Sequence, residues 1–245
     1  AFNDHTSMLM SGLDVALQDR AFEHSDAFVA ADLDDPRMEP RLKKRIGRSG
    51  MTLETFREMV RDHWARRPDV PEAIARVAEA GRIAAAPMFS HDDSTPETRT
   101  FYRAMGGRVS EFPMNIETAR AARDAGDFIV FGAPNAVRGG SHIGSPGAGD
   151  MVEAGLCDAL ASDYYYPAML AAVARLHDER RAPLPELWSL VSRGPARLSG
   201  LGDRGEIAPG KRADLVLVDW PEGHAASVHR TLVAGRTAYL ASPRD

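Results

Sequence analysis

Titratable side chains follow directly after several short apolar runs of the sequence. Ser-His-Asp-Asp at residues 90–93 follows the run IAAAPMF, and Asp163 ends the segment CDALASD. Near the beginning, Asp4 and His5 end the segment AFNDH. A buried strand end is a costly place for such groups unless something there uses them. Metal-assisted hydrolysis needs imidazole or carboxylate ligands around an open coordination position, with a carboxylate to accept a proton from water. The sequence therefore predicts a metal-centred hydrolase site.

A glycine-rich segment offers a second set of groups, and these are suited to binding anions. It reads GAPNAVRGGSHIGSPGAG over residues 132–149. Glycines let backbone N–H groups approach an anion, and an arginine offers a bidentate fork to phosphate oxygens. The segment therefore predicts a phosphate site, with a flexible surface loop as the alternative. The candidate binding residues are Asn135, Arg138, Gly139, Gly140, Ser141 and His142.

The elements that must position these groups alternate between strand and helix patterns from about residue 82. The segments RIAAAPMF, GGRVSEFP, DFIVFGAP and CDALASD are typical of strands. Asn115 is predicted to cap one intervening helix, and Pro167 suits the first turn of another. Such alternation predicts a parallel sheet, either doubly wound or closed into a barrel. Polar groups after the strand ends, and the lack of GxGxxG after a first strand, favour the barrel.

The rest of the chain completes the predicted domain organisation. Residues 13–80 are expected to form a helical excursion, with Thr52 as a cap and a helix end near Gly81. GEIAPGKRADLVLVDW and HRTLVAGRTAYL read as strand-turn-strand segments of a small antiparallel unit. With AFNDH, five of the eight strands of a (β/α)8 barrel are counted. We therefore expect an α/β chain in which residues 1–200 carry strands 4–8 of the barrel and residues 201–245 part of a small β-sandwich.

Several of these segments resemble a known family. LWSLVSRGPARLSGLGDRGEIAPGKRADLVLVD resembles the closing region of the amidohydrolase superfamily, where a helix with a Pro-Ala pair leads into a G-x-I-x-x-G-x-x-A-D-L-V strand pair. ASHDDST, SEFPMNIETARAA, FGAPNAVRGGSH and SDYYYPAML resemble, within that superfamily, the diphosphatases of phosphonate metabolism. FNDHT is similar to that family's fourth strand, but Ser7-Met8-Leu9 replaces its usual Pro-Gly-Gln. The family's His-x-Asp on the first strand and His-Leu-Arg-Cys-Glu on the third do not occur in this sequence.

The resemblance implies an amidohydrolase barrel and a role for each candidate residue. His5 and His91 would be metal ligands, and Asp163 would be both ligand and general base. Asp92 would be a ligand or a residue that orients a histidine. Residues 132–149 would follow the seventh strand, where barrel enzymes often hold phosphate.

The activity implied by the same resemblance is phosphoanhydride hydrolysis. Metal-activated water would release diphosphate from a ribose 5-triphosphate that carries a 1-methylphosphonate. Zinc is the expected cofactor because imidazole ligands favour it, while manganese and magnesium remain possible.

Other interpretations stay open at this point. The same fold would also suit cleavage of a C–N bond in a small cyclic amide or amine. A chain without the first three strands would alternatively be an inert fragment or a scaffold subunit. Taken alone, His91 would be a hydrogen-bonded core histidine. The tyrosines at 164–166 would wall a pocket or simply pack.

Composition narrows the class of partner. A chain of 245 residues that is 44% hydrophobic can bury a full core, and its net charge of −5 argues against nucleic-acid binding. There is no uninterrupted apolar run of 18 residues and no secretory signal, so we expect a cytoplasmic protein without a membrane partner. Cys157 is the sole cysteine and is expected to pack as a small hydrophobe. The expected partners are a small anionic phosphorylated substrate and, over the edge strands, the missing barrel segment or a second copy in a homo-oligomer.

Overall fold

The computed structural model describes residues 35–36, 39–46, 50–65, 70–139 and 146–241. In this part of the chain, the residues up to Ala84 form one compact unit and those from Ala85 onward form another. The predicted strand AFNDH, and with it His5, lies outside the described residues. The predicted boundary between barrel and sandwich at residue 200 stays a prediction.

Within its described residues, the first unit has three helices, α1 (Glu39–Ile46), α2 (Leu53–Ala65) and α3 (Val70–Ile83). The Thr52 hydroxyl accepts a hydrogen bond from the Thr55 backbone N–H at 3.1 Å, which confirms the predicted cap. Helix α3 ends at Ile83, two residues beyond the predicted end near Gly81. The chain then turns, and Ala85 adopts a left-handed conformation at φ 49°.

The second unit begins with a parallel sheet of four short strands. They are β1 (Phe89–His91), β2 (Val109–Glu111), β3 (Phe128–Gly132) and β4 (Ala159–Ala161), and they lie side by side in chain order. Ser90 lies opposite Ser110, Glu111 opposite Val130, and Gly132 opposite Ala161. All the carboxyl ends therefore meet at one edge, as the sequence predicts.

One strand prediction is wrong in its extent. The segment RIAAAPMF was expected to be a buried strand, yet residues 82–87 are exposed and the strand begins only at Phe89. The alanine run forms the turn after α3 and the segment that leads to the strand, and Pro87 has no N–H to give to a ladder. The described strands establish a parallel α/β sheet, and they do not themselves close a barrel.

Helices connect and cover the strands. Asn115 Oδ1 accepts from the Thr118 N–H at 2.8 Å, and Pro167 directly precedes the last of the covering helices, so both predicted helix starts are confirmed. No helix within the described ranges is long and apolar enough to cross a bilayer. The helices are α4 (Pro96–Ala104), α5 (Ile116–Asp124), α6 (Ala133–Arg138), α7 (Ala148–Glu153) and α8 (Ala168–Asp178).

The core lies between strands β3 and β4 and the helices around them. A parallel sheet that is covered by helices buries its strands on both faces, so these strands are almost continuously apolar. Each fully buried Leu, Ile, Val or Phe side chain contributes about 1.5–3 kcal/mol of transfer free energy. The large members of this core include Ile129, Phe131, Met151, Leu160, Leu176 and Leu187.

The chain ends in two short helices and an antiparallel sheet. The helices are α9 (Leu184–Ser189) and α10 (Arg193–Leu198), and the strands are β5 (Leu215–Asp219), β6 (Ser227–Val233) and β7 (Arg236–Leu240). The predicted hairpin HRTLVAGRTAYL is confirmed. Its turn at Ala234 and Gly235 has φ of 50° and 78°, the left-handed pair that a tight hairpin needs.

The other tail prediction is only half right. In GEIAPGKRADLVLVDW the final LVLVD forms β5, whereas GEI forms no strand. Gly205 and Gly210, with φ of 93° and 81°, turn the backbone there instead of extending it. The three-stranded sheet fits the predicted part of a β-sandwich.

Candidate functional site

His91 and Asp92 form a close pair at the end of β1. His91 Nδ1 lies 2.8 Å from Asp92 Oδ2, and the two side chains are only 15% and 19% exposed. The edge of the Phe112 ring packs against the imidazole, with the centroids 5.1 Å apart. A carboxylate at Nδ1 fixes the tautomer and orientation of a histidine, so that Nε2 is the nitrogen presented to a metal. This geometry favours an orienting role for Asp92 over a ligand role.

Asp93 belongs to a buried ionic network. Its carboxylate accepts hydrogen bonds from the Ser90 hydroxyl at 2.6 Å and the Ser110 hydroxyl at 2.7 Å, and it pairs with Arg99 at 3.1 Å. Arg99 Nε also lies 3.4 Å from Asp127 Oδ2. The side chains of Asp93 and Asp127 are fully buried, and that of Arg99 is 1% exposed. Asp93 therefore ties β1, β2 and α4 together.

Unusual backbone conformations recur where the parallel strands end. Asp92 follows β1 with φ 59°, Phe112 follows β2 with φ 53°, and Asp163 lies two residues beyond β4 with φ 49°. Left-handed conformations of non-glycine residues cost free energy and cluster at functional sites, where they aim a side chain. Their recurrence along one edge of the sheet points to this edge as the site.

The predicted metal ligands lie on different strands of the sheet. Asp163 is exposed beyond β4, while His91 ends β1 at the other side. Three strand spacings of about 4.8 Å separate β1 from β4, or about 14 Å along a flat sheet. The oriented imidazole of His91 suits a divalent metal. However, the described residues contain no cluster of three His, Cys, Asp or Glu side chains that would hold one.

Glu111 is a candidate that the sequence interpretation did not include among the site residues. It is only 5% exposed and lies opposite His91 in the register of β1 and β2, so both side chains point to the same face. Its position at the end of the segment GGRVSE was the available signal.

The beginning of the predicted phosphate loop forms helix α6. Arg138 Nη2 donates to Asn135 Oδ1 at 2.8 Å, and Arg138 Nη1 donates to Tyr164 Oη at 2.5 Å. Gly139 ends the helix at φ 80°, a conformation that strains other residues, and a Cβ there would displace Arg175 Nη2 at 2.6 Å. Gly140, Ser141 and His142 lie outside the described residues and stay predictions. Tyr164 was left undecided from the sequence between pocket wall and packing.

Cys157 takes no part in this site. Burial raises the pKa of its thiol to about 12, and the neighbouring Asp158 carboxylate acts in the same direction. The thiol therefore stays protonated near neutral pH and is a poor nucleophile. It packs against the core, as expected.

Comparison with known proteins gives a family and a relative. A model of the amidohydrolase family matches residues 55–239, which include all four parallel strands. The alpha-D-ribose 1-methylphosphonate 5-triphosphate diphosphatase of Escherichia coli K12 is 43% identical over 155 residues. That match covers 62% of this chain and 40% of the relative's length. The predicted resemblance to the diphosphatases of phosphonate metabolism is thereby confirmed.

Solved structures agree on the fold alone. A prolidase in complex with N-methylphosphonate-L-proline matches 69% of this chain and 49% of its own, with a TM-score of 0.53 and 19% identity. An amidohydrolase from Thermotoga maritima MSB8 matches 92% of this chain and 56% of its own, with a TM-score of 0.52 and 17% identity. The family model covers well over half of the sequence, and the chain therefore belongs to the amidohydrolase family.

Proposed function

We propose that this protein is a metal-dependent hydrolase of phosphonate metabolism that releases diphosphate from alpha-D-ribose 1-methylphosphonate 5-triphosphate. The observation that carries the proposal is the 43% identity to the E. coli diphosphatase. We further propose that β1–β4 are the fifth to eighth strands of a (β/α)8 barrel, with the chemistry at their carboxyl ends. The chain spans 40% of that relative, so the activity is proposed for the full polypeptide.

Metal binding is assigned to His91, oriented by Asp92, together with His5 and Asp163. A divalent metal held there, zinc being favoured, would supply Lewis-acid polarisation of a phosphoryl oxygen and would lower the pKa of water. In this assignment Asp92 would keep the His91 ring in one tautomer. The hydrogen bond at Nδ1 also makes the opposite nitrogen a better donor to a metal.

The remaining steps fall to other side chains of the same edge. Arg138 and Asn135 bind phosphate oxygens of the polyphosphate chain. Water attacks a phosphoryl group, its oxygen forms the new P–O bond, and the bond to the departing diphosphate breaks with the electron pair going to the diphosphate. Asp163 accepts the proton that the water loses.

The test is diphosphate release by the full polypeptide with and without His91. We expect His91→Ala to lower kcat/KM by more than about a hundredfold and Asp92→Asn by about ten- to a hundredfold, because ligand and orienting partner both tune the metal. Zinc affinity, measured by titration of the metal-free protein, should fall in both variants. His224, which lies in an exposed turn and hydrogen-bonds its own loop, supplies the control His224→Ala.

Two results would contradict the proposal. Unchanged turnover of His91→Ala would show that His91 is not part of the active site. Release of ammonia or of a ring-opened product from a cyclic amide, with no diphosphate from the triphosphate, would favour the C–N hydrolase alternative.

A further inference from the structure

We infer that Tyr164 is a positioning residue that holds the Arg138 guanidinium in place for the polyphosphate chain of the substrate. The inference rests on the proposed function and adds to it a positioning residue from the neighbouring strand end.

Two strand ends meet at the Arg138 guanidinium. Arg138 is the last residue of α6, which follows β3, and Tyr164 lies in the turn after β4. One terminal nitrogen donates to Tyr164 Oη at 2.5 Å and the other to Asn135 Oδ1 at 2.8 Å. The guanidinium carbon also lies 5.9 Å from the centre of the Tyr164 ring. Both terminal nitrogens are thus held by a defined partner.

Both of these partners are neutral, and this points to an anionic ligand. Arg99, Arg123 and Arg181 each pair with at least one carboxylate, whereas Arg138 forms no ion pair within the described residues. Residues 140–145, which follow it in the sequence, carry no acidic side chain. A guanidinium has five N–H donors, and the two bonds to Tyr164 and Asn135 leave others for phosphate oxygens.

The backbone that carries Arg138 is fixed separately. Arg175 of α8 donates a hydrogen bond to the Val137 carbonyl, and its guanidinium fills the space beside Gly139. Helix α6 is therefore fastened to the helix that follows β4. The long side chain of Arg138 is still free to rotate on this fixed backbone. Its hydrogen bond to the Tyr164 hydroxyl restricts that rotation. A side chain that is already ordered loses less entropy when the ligand binds.

Tyr164→Phe removes only the hydroxyl and is the test. In the full metal-loaded polypeptide, we expect the Kd for inorganic tripolyphosphate, measured by calorimetry, to rise about three- to tenfold. KM for the triphosphate substrate should rise by a similar factor while kcat changes by less than about twofold. Tyr166 is 80% exposed and has no assigned role, so Tyr166→Phe is the matched control and should behave like wild type.

A double-mutant cycle separates positioning from direct contact. In an Arg138→Ala background, which itself weakens tripolyphosphate binding, adding Tyr164→Phe should change the Kd by less than about twofold. An equal effect of Tyr164→Phe with and without Arg138 would overturn the inference, because Tyr164 would then act on the ligand directly. An unchanged Kd for tripolyphosphate in Tyr164→Phe would also overturn the inference. If the wild-type protein still released diphosphate, the proposed function would stand. A wild type that neither binds tripolyphosphate nor releases diphosphate would overturn both.

Discussion

Asp92 and Asp93 are neighbours in the chain, yet their carboxylates meet different surroundings. Asp92 lies against His91 at the sheet edge, while Asp93 turns into the interior and meets Arg99. The sequence identifies the stretch as chemically unusual. It does not show which aspartate orients His91 and which is buried in the ionic network. That difference depends on the left-handed backbone at Asp92 and on Ser110 of the next strand. Neither is encoded in residue spacing.

The buried network of Arg99, Asp93 and Asp127 should contribute to the free energy of unfolding. Arg99→Met leaves the buried Asp93 carboxylate without its cationic partner, while Asp127 keeps Arg103, so it should destabilise the fold by about 3–5 kcal/mol. Urea unfolding followed by circular dichroism measures the change. Arg204→Met removes a solvent-accessible arginine that pairs with Asp203, and its unfolding midpoint should match wild type. Equal effects of the two substitutions would show that the buried network contributes no special stability.

At the scale of elements, strands are predicted well where an apolar run is bounded by turn residues and poorly where alanine dominates. DFIVFGAP becomes β3 because Ile, Val and Phe favour a buried strand. The alanines before Pro87 form a turn and no strand, because alanine is depleted in strands and buries little apolar surface. The contact of helix α10 with β4 could not be predicted, since it depends on a close approach between distant segments.

Helix α10 approaches β4 closely at Gly194. A Cβ on Gly194 of α10 would lie 1.9 Å from the Asp158 carbonyl oxygen, which directly precedes β4. Gly194→Ala should therefore force helix and strand apart and cost about 1–3 kcal/mol of stability. Gly202 has nothing within 4 Å and is the matched control, so Gly202→Ala should unfold like wild type. Chemical denaturation compares the two, and equal midpoints would show that the contact is loose.

At the scale of the whole molecule, the described chain divides after Ala84. Helices in the first unit and the parallel sheet in the second follow the predicted order along the chain. The number and closure of barrel strands do not follow from the described residues, because four strands are compatible with an open or a closed sheet. Apolar side chains of the C-terminal sheet are partly exposed, among them Leu217 at 43% and Leu240 at 60%.

Limited proteolysis should detect this division. Residues 82–87 are exposed and lie where the two units meet along the chain, and such segments are preferred sites of cleavage. Brief digestion with a protease of broad specificity should leave a resistant fragment whose N-terminus lies within residues 83–88, as identified by mass spectrometry. Cleavage spread evenly through residues 89–241 would contradict the division.

The hydrogen bonds from Ser90 and Ser110 to Asp93 affect how β1 and β2 pair during folding. Strands of three residues form few ladder hydrogen bonds, so a slip of one residue sacrifices little backbone bonding but reverses which side chains face the core. Such a slip of β1 against β2 would set His91 opposite Ser110 or Phe112. It would also separate the Ser90 and Ser110 hydroxyls, which both donate hydrogen bonds to the Asp93 carboxylate. The buried carboxylate thus discriminates between correct and incorrect pairings during folding. Its loss should appear as a lower yield of native protein and not as slower turnover of the molecules that do fold.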